Sequence, residues 1–315
     1  MSAVISVIGE ALVDIIVDPR GEVTSVVGGA PLNTARTCAR LGLETAFLGG
    51  VSTDAFGGRI MRLLQADGVR LGLGHQVPEP TTLAIAQIDE SGAATYRFMM
   101  EGTSAAAITP QAAVEAVRAQ GDACRVIHAG TLGLVLQPLA DATVAVVESA
   151  RDDQIVMIDP NCRPSVMTGS TVFAQALASV LVRADIIKVS GDDLEFISPS
   201  VPVLQAAREL HATSGAVVLL TDGAKAVHVL VGGAEVVLEV PRVPVADTVG
   251  AGDSFSGGFL ANWMTRGLTR ADLARIDDVV EAARYGIAVA GVTCQRPGAD
   301  PPRPDEVPGF GKSAS

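Results

Sequence analysis

Thr248-Val249-Gly250-Ala251-Gly252-Asp253-Ser254-Phe255 follows Asp247 and runs into Ser256-Gly257-Gly258-Phe259-Leu260-Ala261-Asn262-Trp263, where apolar residues recur at helical spacing. Small residues at 250–252 let the backbone turn tightly and bring its N–H groups close to a ligand. A helix opening there adds unpaired N–H donors and the positive end of its dipole, which together attract an anion. Asp253 does not suit phosphate binding, so a carboxylate at that point needs another task. Accepting the proton of a hydroxyl that attacks a phosphoryl group is such a task. Taken alone, the stretch also fits an ordinary glycine-rich turn with an Asp near a helix start.

The rest of the composition narrows the choices. A chain of 315 residues, 48% hydrophobic and 18% charged, supports a substantial core and argues against disorder. Its net charge of −12 disfavours nonspecific binding to nucleic acid or an anionic membrane. An anionic cosubstrate therefore needs local help from backbone donors, a cation or a few basic residues. Cys38, Cys124, Cys162 and Cys294 lack the paired spacing of a zinc or redox site and read as free thiols of a reducing cytosol. No basic leader precedes Glu10 and Asp14, and no apolar run approaches the roughly 18–20 residues of a membrane span. The expectation is a soluble, cytoplasmic protein.

Along the chain, Val4–Ile8 is an apolar run that suits a buried strand. Leu12–Asp18 and Glu22–Val27 flank the turn signal Pro19-Arg20-Gly21 and predict a hairpin; Thr82–Ile88 and Ala94–Met99 around Asp89-Glu90-Ser91-Gly92 predict a second. Elsewhere strand and helix patterns alternate. Helices are expected over 31–41, 54–66, from Thr109-Pro110, and over 138–150, 172–181, 203–211, 251–265 and 278–292. Strands are expected over 44–48, 125–128, 155–158, 185–189 and 216–220, with a hairpin at 226–240. Such alternation implies an α/β fold with a mainly parallel central sheet flanked by helices in three layers. The two early hairpins, at about 12–28 and 82–99, predict a small separate β-sheet. No linker divides the chain, so 1–311 reads as a single domain and 312–315 as a tail.

Two motifs identify a resemblance. Asp247-Thr248-Val249-Gly250-Ala251-Gly252-Asp253 resembles the C-terminal signature of the ribokinase-type, or phosphofructokinase-B, sugar kinases. Gly28-Gly29-Ala30-Pro31-Leu32-Asn33-Thr34-Ala35 is similar to that family's N-terminal signature. The resemblance runs from about Val4 to Pro304 and implies the ribokinase-like fold, with the small sheet as a lid over a sugar. One departure is Val51-Ser52-Thr53-Asp54, where the family usually has a Gly-containing turn.

The resemblance also implies roles. Asp253 is the candidate general base, and Gly250, Ala251 and Gly252 cradle the transferring phosphoryl group. Asp14, Gly28, Gly29, Asn33 and Arg163 are candidate sugar-binding residues; Asn33 offers both a donor and an acceptor. Lys188, Ser190, Thr221 and Gly223 fall where the family holds ATP. Asp193 stands where the family links a Glu to Mg2+, directly or through water, and the shorter carboxylate leaves that contact open. ATP and Mg2+ are the implied cosubstrate and cofactor. The segment Arg296-Pro297-Gly298-Ala299 resembles one that holds K+ in many members.

Gly9-Glu10-Ala11-Leu12-Val13-Asp14 and Asp159-Pro160-Asn161-Cys162-Arg163 resemble the fructokinase branch, which also includes 2-keto-3-deoxygluconate kinases. That acid-specific branch tends to carry a second Arg after a lid strand, and here Met100 falls near the position. Fructose is therefore the first expectation. Other ketoses, 2-keto-3-deoxygluconate, ribose and nucleosides stay open, as does a sugar-binding homologue without catalysis. A lid with exposed strands also predicts a homodimer through it. His128, at a strand end, reads as packing or a local hydrogen bond.

Overall fold

The structure, a computed structural model, describes residues 3–90 and 94–309. Ser91 and Gly92 of the predicted turn and the tail 312–315 lie outside the described residues.

β1 (Val4–Ile8) is buried along its whole length, as an apolar run covered on both faces should be. The chain then forms an antiparallel hairpin, β2 (Leu12–Val17) and β3 (Val23–Gly28). In its turn, Asp18 accepts hydrogen bonds from the N–H groups of Arg20 and Glu22. α1 (Ala30–Arg40), β4 (Glu44–Leu48), α2 (Ala55–Asp67) and β5 (Val69–Leu71) follow. The second hairpin is β6 (Leu83–Ile88) and β7 (Ala94–Met99). Next come α3 (Pro110–Arg118), β8 (Cys124–Gly130), α4 (Leu139–Glu148), β9 (Ile155–Asp159), α5 (Pro164–Met167) and α6 (Thr171–Arg183). β10 (Ile186–Ser190), α7 (Gly191–Ile197), α8 (Val203–Ser214) and β11 (Val217–Thr221) continue the alternation. A final hairpin, β12 (Ala226–Val231) and β13 (Ala234–Glu239), precedes α9 (Ala251–Thr265) and α10 (Ile276–Thr293).

These strands make one nine-stranded sheet, ordered β13-β12-β11-β10-β9-β8-β1-β4-β5. It is parallel from β11 to β5, and only the β12–β13 hairpin adds antiparallel pairs at one edge. Side-chain alternation divides its core. Ile127, Ile158 and Val189 meet α3, α4 and α6 on one face, while Val126, Met157 and Ile186 meet α1, α9 and α10 on the other. The expected three-layer, mainly parallel fold is present. The sequence pattern did not predict β5, α5 or α7, because elements of one or two turns, or of three strand residues, are too short to display a period.

The two early hairpins join through a parallel β2–β6 pairing into a separate sheet, ordered β3-β2-β6-β7. Its register aligns Asp14 with Val26 and Ala84, and Ala84 with Phe98, so these four share a face. Val13, Ile15, Val27 and Leu83 on the opposite face pack against the main core. On the first face Leu12, Ala84, Phe98 and Met100 pack near Leu132 and Val166.

Capping chemistry fixes the helix starts that matter. Asp54 accepts the N–H of Gly57 at α2, and Thr109 accepts that of Ala112 at α3, with Pro110 in the first turn. At α9 the residue before the helix, Gly250, adopts φ 76, a left-handed conformation that favours glycine. α9 is almost wholly buried between α1 and α10. Gly257 makes that possible, since a Cβ there would lie 2.5 Å from Thr37 Cβ.

Candidate active site

The C-terminal ends of β1, β9 and β10 and the N-terminal ends of α1 and α9 converge, the usual place for a site in a parallel α/β sheet. The turn before α9 is held from both sides. Asp247 accepts the N–H groups of Val249 at 3.0 Å and Gly298 at 2.9 Å, tying the loop after α10 to this turn. A Cβ on Gly250 would lie 2.5 Å from Ala299 Cβ. In the first turn of α9 the Gly252 N–H has no intrahelical partner, as an anion site needs, whereas the Ala251 N–H donates to the Thr248 carbonyl at 3.2 Å.

Asp253 is the third residue of α9 and is 6% exposed. Its Oδ2 accepts a hydrogen bond from Asn33 Nδ2 at 2.9 Å, joining the two signature motifs across more than two hundred residues. Burial pushes the Asp253 carboxyl up to about 6; the Asn33 hydrogen bond opposes that shift, nearby Asp159 adds to it, and Lys188 and Arg163 act against it. Asn33 Oδ1 is buried with no partner among the described residues, so the amide has an acceptor to offer a ligand.

Gly28 and Gly29 are required by their surroundings. A Cβ on Gly28 would sit 2.2 Å from Asp14 Oδ2, and one on Gly29 2.6 Å from the Glu10 carbonyl oxygen. Gly29 also has φ 116. Asp14 is half-buried on β2, and burial raises its carboxyl to about 6 against the pull of Arg163. Arg163 Nη1 donates to Asn161 Oδ1 at 2.7 Å and to the Asn161 and Cys162 carbonyls. Its charge reaches Glu10, Asp14, Asp159 and Asp253, so it is the shared cation of the cleft.

Lys188, expected at the nucleotide, is a buried lysine. It is 4% exposed, pairs with Asp159 at 3.1 Å, and would meet a Cβ on Gly252 at 2.9 Å. Burial opposes its charge, yet Asp159, Asp193 and Asp253 hold its pKa above the ordinary lysine value. It is a cation fixed beneath the glycine turn.

Ser190, Thr221 and Gly223 form a second group at the ends of β10 and β11. Ser190 and Thr221 are register partners, and Gly223 has φ 52 in the turn beyond. Ser190 caps α7. Its hydroxyl accepts the Asp193 N–H at 3.0 Å and donates to Asp193 Oδ2 at 2.7 Å. Asp193 is 3% exposed; its Oδ2 also accepts the Ser190 N–H and its Oδ1 the Cys162 N–H at 2.6 Å. Both oxygens are thus committed to holding two loops. Oδ1 keeps one lone pair beyond its bond from Cys162, and the described residues contain no group of three or more His, Cys, Asp or Glu arranged to hold a metal.

Glu10 was not singled out by sequence reasoning as a site residue. It is 1% exposed, and its carboxyl accepts the N–H of Ala30 and of Leu132, each at 3.2 Å. Burial raises it to about 8, partly offset by its backbone hydrogen bonds and Arg163. The signal was an acid one glycine beyond a fully buried strand; Asp159, ending the buried β9, carried a similar one. His128 is buried with neither ring nitrogen bonded to a described residue, and burial lowers it to about 3, so it stays neutral. That bears out packing and not a local hydrogen bond.

Phe98 and Met100 turn toward Leu12 and Leu132, whereas Arg97 is exposed on the opposite side.

Comparison with known proteins matches residues 3–306 to the profile of the pfkB family carbohydrate kinases. A fructokinase of Rhizobium leguminosarum bv. trifolii is 31% identical over 290 residues, covering 88% of this chain and 85% of that protein. The crystal structure of a Xylella fastidiosa fructokinase with bound ATP superposes with a TM-score of 0.85 at 27% identity, covering 95% and 94% of the two chains. A Vibrio cholerae O395 fructokinase holding fructose, ADP and potassium shares the fold, with a TM-score of 0.80 at 22% identity over 95% and 94%.

Proposed function

The chain belongs to the pfkB family of carbohydrate kinases and is an ATP-dependent sugar kinase, and on that premise we propose that its acceptor is fructose and its general base Asp253. The observation that carries the reading is the Asn33–Asp253 hydrogen bond at the opening of α9. It aims a buried carboxylate at the point where an anion-binding turn and a sugar-binding turn meet.

In this reading the sugar lies between Asp14, Gly28, Gly29, Asn33 and Arg163. Asp253 is ionised near neutral pH, and its raised pKa makes it a stronger base than a solvated aspartate. It takes the proton as the hydroxyl oxygen attacks. The new O–P bond forms to the γ-phosphorus while the bond to the β-phosphate oxygen breaks, and ADP leaves. Backbone donors of Gly250, Ala251 and Gly252 receive the charge spread over the transferring oxygens, with Lys188 adding a fixed positive charge from below. Gly223, Ser190 and Thr221 form the floor for the rest of the nucleotide. Mg2+ supplies charge neutralisation on the phosphates when the nucleotide binds; Asp193, whose oxygens hold the Cys162 and Ser190 donors, would act on it through water. K+ fits the Asp247 and Arg296–Ala299 loops, which the structure joins by the Gly298–Asp247 hydrogen bond.

The small sheet serves as the lid. Its inward face offers Phe98 and Met100, which are apolar, and no second arginine. A carboxylate substrate would be left with Arg163 alone, a costly burial of an underpartnered charge, so a neutral ketose is favoured. Val23, Val26, Tyr96 and Met99 are exposed on this sheet and suit a homodimer through it. Among the described residues no helix is long and apolar enough to cross a membrane, and the four cysteines are free; both suit a cytoplasmic enzyme. Coupled ADP release measured across a sugar panel tests the assignment. Fructose should give the highest kcat/KM, and ligand binding without phosphorylation of any sugar would replace the enzyme by a binding homologue.

A further inference from the structure

A groove of about 540 Å³ opens between β3, α1, α2 and the loop after α10, lined by none of the residues assigned to the sugar and the nucleotide. Arg36, Arg59 and Arg62 line it, and Asp300 is the acidic residue among its lining. The partners of these groups leave a charge imbalance. Arg36 is buried and held, donating to Asp67 at 2.7 Å and to the Ala299 carbonyl at 2.8 Å. Arg40 pairs with Asp67 at 2.6 Å and with Asp300 at 2.5 Å. Both carboxylates are therefore already engaged. Arg59, half-buried, donates to neutral acceptors, Ser25 Oγ at 2.6 Å and the Ser25 carbonyl at 2.9 Å. Arg62 is exposed and makes no ion pair among the described residues. Arg296 also pairs with Asp300, at 3.5 Å, and with Glu306, so five guanidinium groups meet three carboxylates in and around the groove, in a chain whose net charge is −12.

We propose that this groove binds a small phosphomonoester, of the size of a phosphorylated sugar, and that the bound anion fastens β3 to α2. A dianion matches the two uncompensated charges, and its tetrahedral oxygens suit guanidinium donors arriving from different directions. The volume leaves room for an organic group beside the phosphate. The walls give the site leverage. Arg59 already grips the small sheet through Ser25, and Ala299 packs against Gly250 at the start of α9. An anion drawn between Arg59 and Arg62 therefore steadies β3 of the small sheet, in a groove that Ala299 also lines.

The test is independent of catalysis, because it omits ATP. Glucose 6-phosphate, with glucose as the uncharged control, is titrated calorimetrically into the wild-type protein and into Arg62→Glu. Hydrogen exchange of residues 23–28 is followed at saturation. The proposal expects saturable binding of the phosphate ester alone, at least about tenfold weaker in the variant, with slower exchange in β3 of the wild type. Equal affinity in both proteins, absence of binding to the wild type, or binding that leaves exchange in 23–28 unchanged would overturn it. Should Arg62→Glu fail to fold, Arg62→Ala carries the same comparison, since the side chain is exposed and has no partner to lose.

Discussion

A Cβ placed on Gly252 would come within 2.9 Å of Lys188 Nζ, so the ammonium group lies against the turn proposed to receive the phosphoryl group. Glycine here is a matter of contact and not of backbone conformation, as Gly252 lies within a regular helix. Gly252→Ala should push Lys188 aside and lower kcat by about tenfold or more while changing the KM for sugar little. Lys188→Met should lose more, because it leaves buried Asp159 without its partner, and should also lower Tm. Steady-state kinetics and thermal melts separate the two effects; an unaltered kcat in Gly252→Ala refutes the role of the contact.

Asp253→Asn keeps the size of the side chain and removes its basicity. Turnover should fall by about 10²–10⁴, with sugar affinity within a few-fold of wild type. The wild-type kcat/KM should rise with pH through about 6, as Asp253 loses its proton, and level off above. Turnover near that of wild type in folded Asp253→Asn would remove Asp253 from the reaction.

Glu10 should make itself felt in stability. Its folded pKa of about 8 lies above the ordinary carboxylate value of 4.5, so the native state holds a proton that the unfolded chain has released. Between those values the native form binds more protons, and its stability contribution is greatest below the lower value and declines as pH rises toward 8. Glu10→Gln abolishes that titration but turns an amide donor toward the N–H of Ala30 or Leu132. The variant should therefore be less stable than wild type at pH 5, and the gap should narrow by pH 8. Denaturant midpoints at the two pH values measure it; a constant gap contradicts the assignment.

Met100→Arg adds a guanidinium to the inward face of the small sheet, beside Leu12 and Leu132. Wild type should have the higher kcat/KM on fructose than on 2-keto-3-deoxygluconate, and the variant should gain on the acid. A wild type that prefers the acid reverses the substrate order, whereas no gain in the variant means residue 100 does not face the substrate.

Sugar binding should slow hydrogen exchange in 12–28 and 82–99, because a closing lid excludes water from the reacting phosphate. Exchange that is unchanged in both hairpins at saturating sugar would leave the small sheet without a gating function.

The order of elements and the two glycine-bearing turns could be read from the chain because their determinants are local. Alternating apolar strands, Pro and Gly at helix boundaries and the small residues at 250–252 act within a few positions of one another. Parity along β7 likewise put Arg97 and Phe98 on opposite faces. Only packing against Leu12 and Leu132 decided which face turns inward. Glu10 escaped notice for the same reason: its partners, Ala30 and Leu132, come from separate turns that meet only when β1 is flanked by its neighbours. Asp193 could be read only as a carboxylate for Mg2+, directly or through water; folding adds Cys162 as a donor to one oxygen and Ser190 to the other. Lys188 could be placed at the nucleotide from sequence, but its pairing with Asp159 and its contact with Gly252 come only from the meeting of β9, β10 and α9. Local sequence determined which groups stand at the ends of the strands. Their burial and hydrogen-bond partners, and hence their charge, were decided by contacts between distant segments that the tertiary structure alone creates.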